Sequence, residues 1–256
     1  MRIFETHAHI TDPAFDADRE AVLGRIRESG VEYLIEACCR AEDVEKIYAL
    51  HESYRWILPT AGVHPEEIRP EHPEDLQLVE QALRRQGMTA VGEIGLDYHY
   101  EDMCPKEIQR RWFDAQLSLA EAANLPVIIH DRDAHGDCMD ILRAHKGRVR
   151  GVMHCFSGSE ELARECLDLG LYLGFGGVAT FKNSKKARRV IAYAPMERLL
   201  SETDCPYMAP EPFRGERNDS SLLPYIVRAI AAIRGRDEEE TAEQLYQNGL
   251  KLFNVL

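Results

Sequence analysis

The sequence contains no C-x-x-C pair, no low-complexity linker, no block of like charge and no short repeat. Its seven cysteines, Cys38, Cys39, Cys104, Cys138, Cys155, Cys166 and Cys205, therefore do not read as a structural zinc knuckle. A chain of 256 residues can bury a substantial core without disulfides. No apolar run approaches the roughly 18 residues of a membrane span. The opening MRIFETHAHI lacks the apolar segment of a secretion signal, so a reducing cytoplasm is the expected compartment. Basic residues are also in deficit. With 31 Lys and Arg against 44 Asp and Glu the formal charge is −13, which argues against a sequence-blind nucleic-acid binding module unless cations or a local basic patch intervene. No membrane contact and no obligate protein partner are expected.

What the chain does contain is alternation. Short apolar runs give way repeatedly to amphipathic stretches. Strands are expected at Ile3–His9, Tyr33–Ala37, Trp56–Val63, Ala90–Leu96, Pro126–His130, Gly151–Phe156, Leu171–Phe175 and Leu199–Ser201. Helices are expected between them at Asp18–Ser29, Ala41–Ser53, Pro73–Arg85, Lys106–Ala123, Ala134–His145, Glu160–Leu169 and Lys185–Tyr193. Two more close the chain within Leu222–Arg234 and Glu238–Phe253. Parallel strands need helical crossovers, so this pattern predicts an α/β fold: a (β/α)₈ TIM barrel forming a single domain over residues 1–256. An open doubly wound sheet is the alternative.

The unusual residues fall at one place in that pattern. His7 and His9 end the first expected strand, His64 follows the third, and Glu93 sits inside the fourth with Asp97 just beyond. His130 ends the fifth, His154 lies late in the sixth, and Asp204 follows the eighth. In barrel enzymes the C-terminal ends of the strands carry the chemistry. Residues two apart on a strand share a face, about 6.5–7 Å apart, so His7 and His9 can converge on one cation. Alone, such an H-x-H is a weak signal, and His130 or His154 could each be an ordinary strand-end histidine. Asp204 could be a turn residue before Pro206, and Glu202 a hydrogen-bonded strand-end residue. Cys155 and the flanking Val152 are expected on the other face or in the core, as small inert apolar groups. Glu93 is more telling. A carboxylate within AVGEIGL is costly to bury unpaired, and that strand offers no Lys or Arg. Four histidines and two carboxylates exceed the three protein ligands of one catalytic zinc. With one bridging carboxylate they suit two divalent ions about 3.5–4 Å apart. Nitrogen and oxygen donors without thiolate leave Zn, Mn, Mg, Fe, Ni and Co open.

The motifs resemble those of the TatD-type metal-dependent deoxyribonucleases, within the amidohydrolase-like barrels. The likeness runs nearly the whole length, through THAH (Thr6–His9), AGVHPEE (Ala61–Glu67), VGEIGLDYH (Val91–His99), PVIIHDRDA (Pro126–Ala134), MHCFSGS (Met153–Ser159), LGFGG (Leu173–Gly177) and LLSETDCP (Leu199–Pro206). FRGERN (Phe213–Asn218) resembles the family's Arg-Gly-Lys-Arg-Asn loop. The resemblance implies that His7, His9, Glu93 and Asp204 hold one ion, and that Glu93, His130 and His154 hold the other, with Glu93 bridging. It implies hydrolysis of phosphodiester bonds in DNA by a hydroxide activated by two metals. Glu93 and Asp204 are then the catalytic carboxylates, Asp204 as general base.

His64, Asp97, Arg132 and Arg217 are the expected substrate-binding residues, with Arg214 a further candidate on the same flexible loop as Arg217. Three departures stand out: Glu5 where the family usually has Asp, Glu216 for a usual Lys, and Asp219-Ser220 for a usual Glu-Pro. Glu216 removes a positive charge where a phosphate would lie, and leaves the hydrolase chemistry untouched. The competing readings are a metal-dependent amidohydrolase or esterase acting on a small molecule or an aminoacyl ester, and a non-catalytic protein with structural metals.

Overall fold

The computed structural model describes residues 1–100 and 104–255. Eight parallel strands follow one another round the sheet in chain order. They are β1 (Ile3–Ala8), β2 (Val31–Glu36), β3 (Ile57–Ala61), β4 (Ala90–Asp97), β5 (Val127–Arg132), β6 (Gly151–Met153), β7 (Tyr172–Phe175) and β8 (Leu199–Ser201). The intervening helices are α1 (Arg19–Glu28), α2 (Val44–Ser53), α3 (Glu74–Leu83), α4 (Lys106–Ala123), α5 (His135–Ala144), α6 (Glu160–Asp168) and α7 (Lys185–Tyr193). The last two, α8 (Leu223–Arg234) and α9 (Glu238–Phe253), end the chain. This is the expected (β/α)₈ barrel. The open-sheet alternative fails at the seam: Asp204 N–H donates to His7 O at 3.0 Å and His9 N–H to Cys205 O at 3.0 Å, joining the first strand to the segment after the last.

The barrel is filled from below. Phe4, Ile35, Leu58, Ala90, Ile128, Val152, Tyr172 and Leu200, one from each strand, form one buried cluster, and Tyr246, Leu252 and Phe253 of α9 cover it. This apolar floor excludes water from the N-terminal end of the barrel and leaves the polar residues for the opposite end. A second, larger core lies between strands and helices, where residues such as Ile94, Phe113 and Leu117 are fully buried. It forms because α4 and its neighbours each turn one apolar stripe toward the sheet.

Several boundaries differ from expectation. β6 stops at Met153, so His154 lies in the loop just past it. β5 continues to Arg132, which puts His130 within the strand, and β4 continues through Asp97. Short apolar runs mark strands, but ladder hydrogen bonds decide where they end. Among the described residues no helix is long and apolar enough to cross a membrane.

Candidate metal centre

The C-terminal mouth of the barrel gathers His7, His9, His64, Glu93, His130, His154 and Asp204. In β4 the pairing with β5 shifts register between Val91 and Ile94, and this irregularity turns the Glu93 side chain to the inside. Gly95, with φ +148, lets β4 pass close to β5 at His130, since a Cβ there would collide with the His130 carbonyl.

Glu93 is 3% exposed and is the hub. Its Oε2 lies 3.2 Å from His7 Nε2 and 3.6 Å from His9 Nε2. Its Oε1 lies 2.9 Å from His130 Nδ1, 2.9 Å from His154 Nε2 and 3.5 Å from His64 Nε2. The two oxygens thus face two sets of imidazoles. Asp204 Oδ1 lies 3.4 Å from His9 Nε2 and 3.6 Å from His7 Nε2, on the first of these sides. Burial pushes the Glu93 carboxyl up, but the facing His154, His7 and His64 outweigh it and hold the group well below the usual carboxylate range. For Asp204 burial also acts upward, and the His9 contact with the charges of His154 and His7 again prevails downward. Both carboxylates are held ionised.

This donor set fits a cation. The Nε2 atoms of His7 and His9 lie 3.1 Å apart and both face Glu93 Oε2 and Asp204 Oδ1, so two imidazole nitrogens and two carboxylate oxygens converge on one point. Among the described residues no Lys or Arg nitrogen pairs with Glu93. His7, His9 and Asp204 offer ligand atoms within 4.8 Å of one another, as do His7, Glu93 and His154, and His64, Glu93 and His130. Outer groups orient the rings. His9 Nδ1 donates to Ala37 O at 3.0 Å, which leaves the Nε2 lone pair pointing inward. His130 Nε2 lies 2.9 Å from Asp97 Oδ2, placing this ring between two carboxylates.

The expected substrate residues fare differently. Asp97, the last residue of β4, is 1% exposed and pairs with the His130 ring on the side away from Glu93. His64 closes the Glu93 side of the cluster. Arg132 lies over the Tyr100 ring at 5.1 Å and, with His130, His154 and Asp204, lines a cavity of about 370 Å³ beside the cluster. Arg217 is not brought to this cavity. Its guanidinium makes a two-pronged pair with Asp18 at 2.9 and 2.7 Å and donates to Ala14 O at 2.7 Å. Asn218 donates to Thr203 O and Tyr207 O, and Asp219 accepts from Arg25. The loop expected to be flexible is pinned on three sides. Arg214 stacks over Phe181 at 4.5 Å. Cys155 is a further correction: it lines the 370 Å³ cavity, while Val152 belongs to the barrel floor.

Sequence reasoning missed Glu36 and Cys39, and read Glu202 only as a strand-end residue and Glu5 only as a departure from the family pattern. Glu202 is fully buried, its Oε1 accepts from Cys155 N–H, and it faces His154 Nδ1 at 3.6 Å. Glu36 accepts from Ile10 N–H, Thr11 N–H and the Thr11 hydroxyl, fixing the chain just after His9. Glu5 accepts from His7 N–H, Thr203 N–H and the Thr203 hydroxyl, tying β1 to the segment that carries Asp204. Cys39 Sγ lies 3.8 Å from His9 Nδ1. A carboxylate at the end of an apolar strand was the available signal for Glu36 and Glu202.

The profile of the TatD related DNase family matches residues 4–254. The chain belongs to this family. A TatD homologue of known structure, YjjV of Escherichia coli K12, superposes with TM-score 0.93 at 36% identity, covering 100% of this chain and 99% of the other. The uncharacterized metal-dependent hydrolase YabD of Bacillus subtilis is 40% identical over 99% of both chains. A 3′-5′ ssDNA/RNA exonuclease TatD of Pantoea ananatis is 33% identical over 99% of this chain and 100% of its own. This TatD-family chain is therefore a metal-dependent hydrolase.

Proposed function

We propose that the chain hydrolyses phosphodiester bonds in DNA, with two divalent ions bound at the barrel mouth and the whole chain acting as one catalytic unit. The observation that carries this reading is the division of the Glu93 carboxylate, Oε2 toward His7 and His9 and Oε1 toward His130 and His154. One carboxylate between two imidazole sets is the arrangement of a bridging ligand. His7, His9, Glu93 and Asp204 would hold one ion, and Glu93, His130 and His154 the other. What the ions supply is Lewis acidity toward water and the phosphoryl oxygens, in the manner of Zn, Mn, Mg, Ni or Fe.

The protein's own groups do the rest. Asp204 is ionised and opens on the cavity, so it can take a proton from the attacking water and pass it to the leaving oxygen. The Arg132 guanidinium is positioned at the cavity wall to pair with a phosphate oxygen. His64 flanks the Glu93 side, where it can hold substrate or leaving group. Asp97 keeps the His130 ring in one orientation, and the Glu202 carboxylate faces His154 Nδ1 at 3.6 Å as a charge beside that ring. The acidic surface does not steer DNA from a distance, so substrate capture is local to this mouth. The relative named as an exonuclease on single-stranded DNA and RNA supports a nucleic-acid substrate.

The test is a metal-stripped chain assayed on single-stranded DNA and on a chromogenic phosphodiester, with and without Mg, Mn and Zn. Cleavage is expected to return with metal and to be absent in His7→Ala and Glu93→Ala. A chain that binds two ions and cleaves neither substrate overturns the phosphodiester assignment and turns attention to carbonyl esters and amides.

A further inference from the structure

We propose that Cys39 is a thiolate ligand to the ion held beside His9 and Glu93, and that it biases that position toward zinc-like metals over magnesium. The proposal rests on the two-ion reading above.

Cys39 is not an isolated thiol. Its Sγ, a nitrogen of His9 and an oxygen of Glu93 all lie within 4.8 Å of one another. An ion with bonds of about 2.0–2.3 Å to nitrogen, oxygen and sulfur spans such a triangle after small side-chain rotations. The backbone holds the thiol there. Glu93 N–H donates to Cys38 O at 2.7 Å, Cys38 N–H donates to Gly92 O at 3.2 Å, and His64 N–H donates to Cys39 O at 2.8 Å. The chain on either side of Cys39 is thus clamped to the backbones of Glu93 and His64. The neighbouring thiol is turned elsewhere: Cys38 Sγ donates to Arg40 O at 3.1 Å and is fully buried. Cys39, by contrast, is partly exposed and lines a second cavity, of about 310 Å³, together with His9, Lys46 and Glu67.

Ligation balances simply. The Cys39 S–H bond breaks, its proton goes to water, and a sulfur–metal bond forms with no change of oxidation state. Sulfur is a soft donor that favours zinc, whereas magnesium takes hard oxygen ligands. The other side of Glu93, with His130 and His154, has only nitrogen and oxygen donors. The two positions would then differ in metal preference.

The experiment is to reload the metal-stripped protein with Co(II) and record its absorption, with bound cobalt counted by elemental analysis. The wild type and Cys155→Ser are expected to show a sulfur-to-cobalt charge-transfer band in the near ultraviolet. Cys39→Ser is expected to lose this band while keeping the visible cobalt bands, which also report that it is folded. Two bound cobalt ions without the charge-transfer band in the wild type would remove Cys39 and leave the two-ion reading standing. A band that survives in Cys39→Ser, or vanishes in Cys155→Ser, also overturns the assignment. A wild type that binds no cobalt sinks both proposals together.

Discussion

The backbone N–H of Asp204 donates to the carbonyl of His7 at 3.0 Å, so the two ends of the barrel sequence meet at the residues that flank Glu93. The bond is made by the main chain, and side-chain changes at Asp204 leave it in place. Asp204→Asn should therefore keep the fold and much of the metal. It should lose about 10²- to 10⁴-fold in turnover, the usual worth of a positioned general base. Turnover of a chromogenic phosphodiester beside metal content checks this; wild-type turnover would refute the role.

Gly174 leaves the space that the Glu202 carboxylate fills, since a Cβ there would collide with Glu202 Oε2. Gly174→Ala should push Glu202 away from His154 Nδ1 and from Cys155 N–H. Groups that orient a ligating imidazole are worth about 10- to 100-fold in metal affinity. The variant should bind its second ion that much more weakly, while the first is little changed. A metal titration followed by calorimetry separates the two steps.

Glu5 should govern part of the pH dependence of stability. Burial pushes its carboxyl up to about 8 from the usual 4.5, despite the hydrogen bonds from Thr203 and His7. The folded chain then holds a proton that the unfolded chain releases, so stability falls as pH rises from 4.5 toward about 8. Glu5→Gln removes this titration. Its amide oxygen can keep the two backbone donors and its amide nitrogen can donate to Thr203 Oγ1. Thermal unfolding of the metal-free proteins should show a flatter decline for the variant across that interval, and parallel curves would exclude the effect.

Arg217 and Arg132 should separate cleanly. Arg217 is bound to Asp18, and this partly exposed pair is screened by solvent and contributes little to stability. Arg217→Ala should lower the unfolding temperature slightly and leave KM for a phosphodiester unchanged. Arg132→Ala should raise KM with little loss of stability. A raised KM in Arg217→Ala would restore it as a substrate contact.

The alternation of apolar runs and amphipathic stretches was enough to determine eight successive β/α units, because each element's periodicity is local to its own residues, whereas closure into a barrel and not an open sheet was decided by the hydrogen bonds of His7 and His9 to the segment after β8. The same reading placed His7, His9, His64, His130, His154 and Asp204 at one end of the strands, and the motifs around them marked the family. Tertiary structure decided which way these side chains face. A regular strand would put Glu93 on the face opposite Gly92, and only the register shift against β5 turns it inward. Asp97 and Arg217, expected as substrate residues, are paired by the packing with His130 and Asp18. Cys39, Glu36 and Glu202 were not recognised as neighbours of the metal ligands for the same reason. Their partners lie on other strands, and a side chain's direction at a strand end depends on register and hydrogen bonds between segments far apart in the chain.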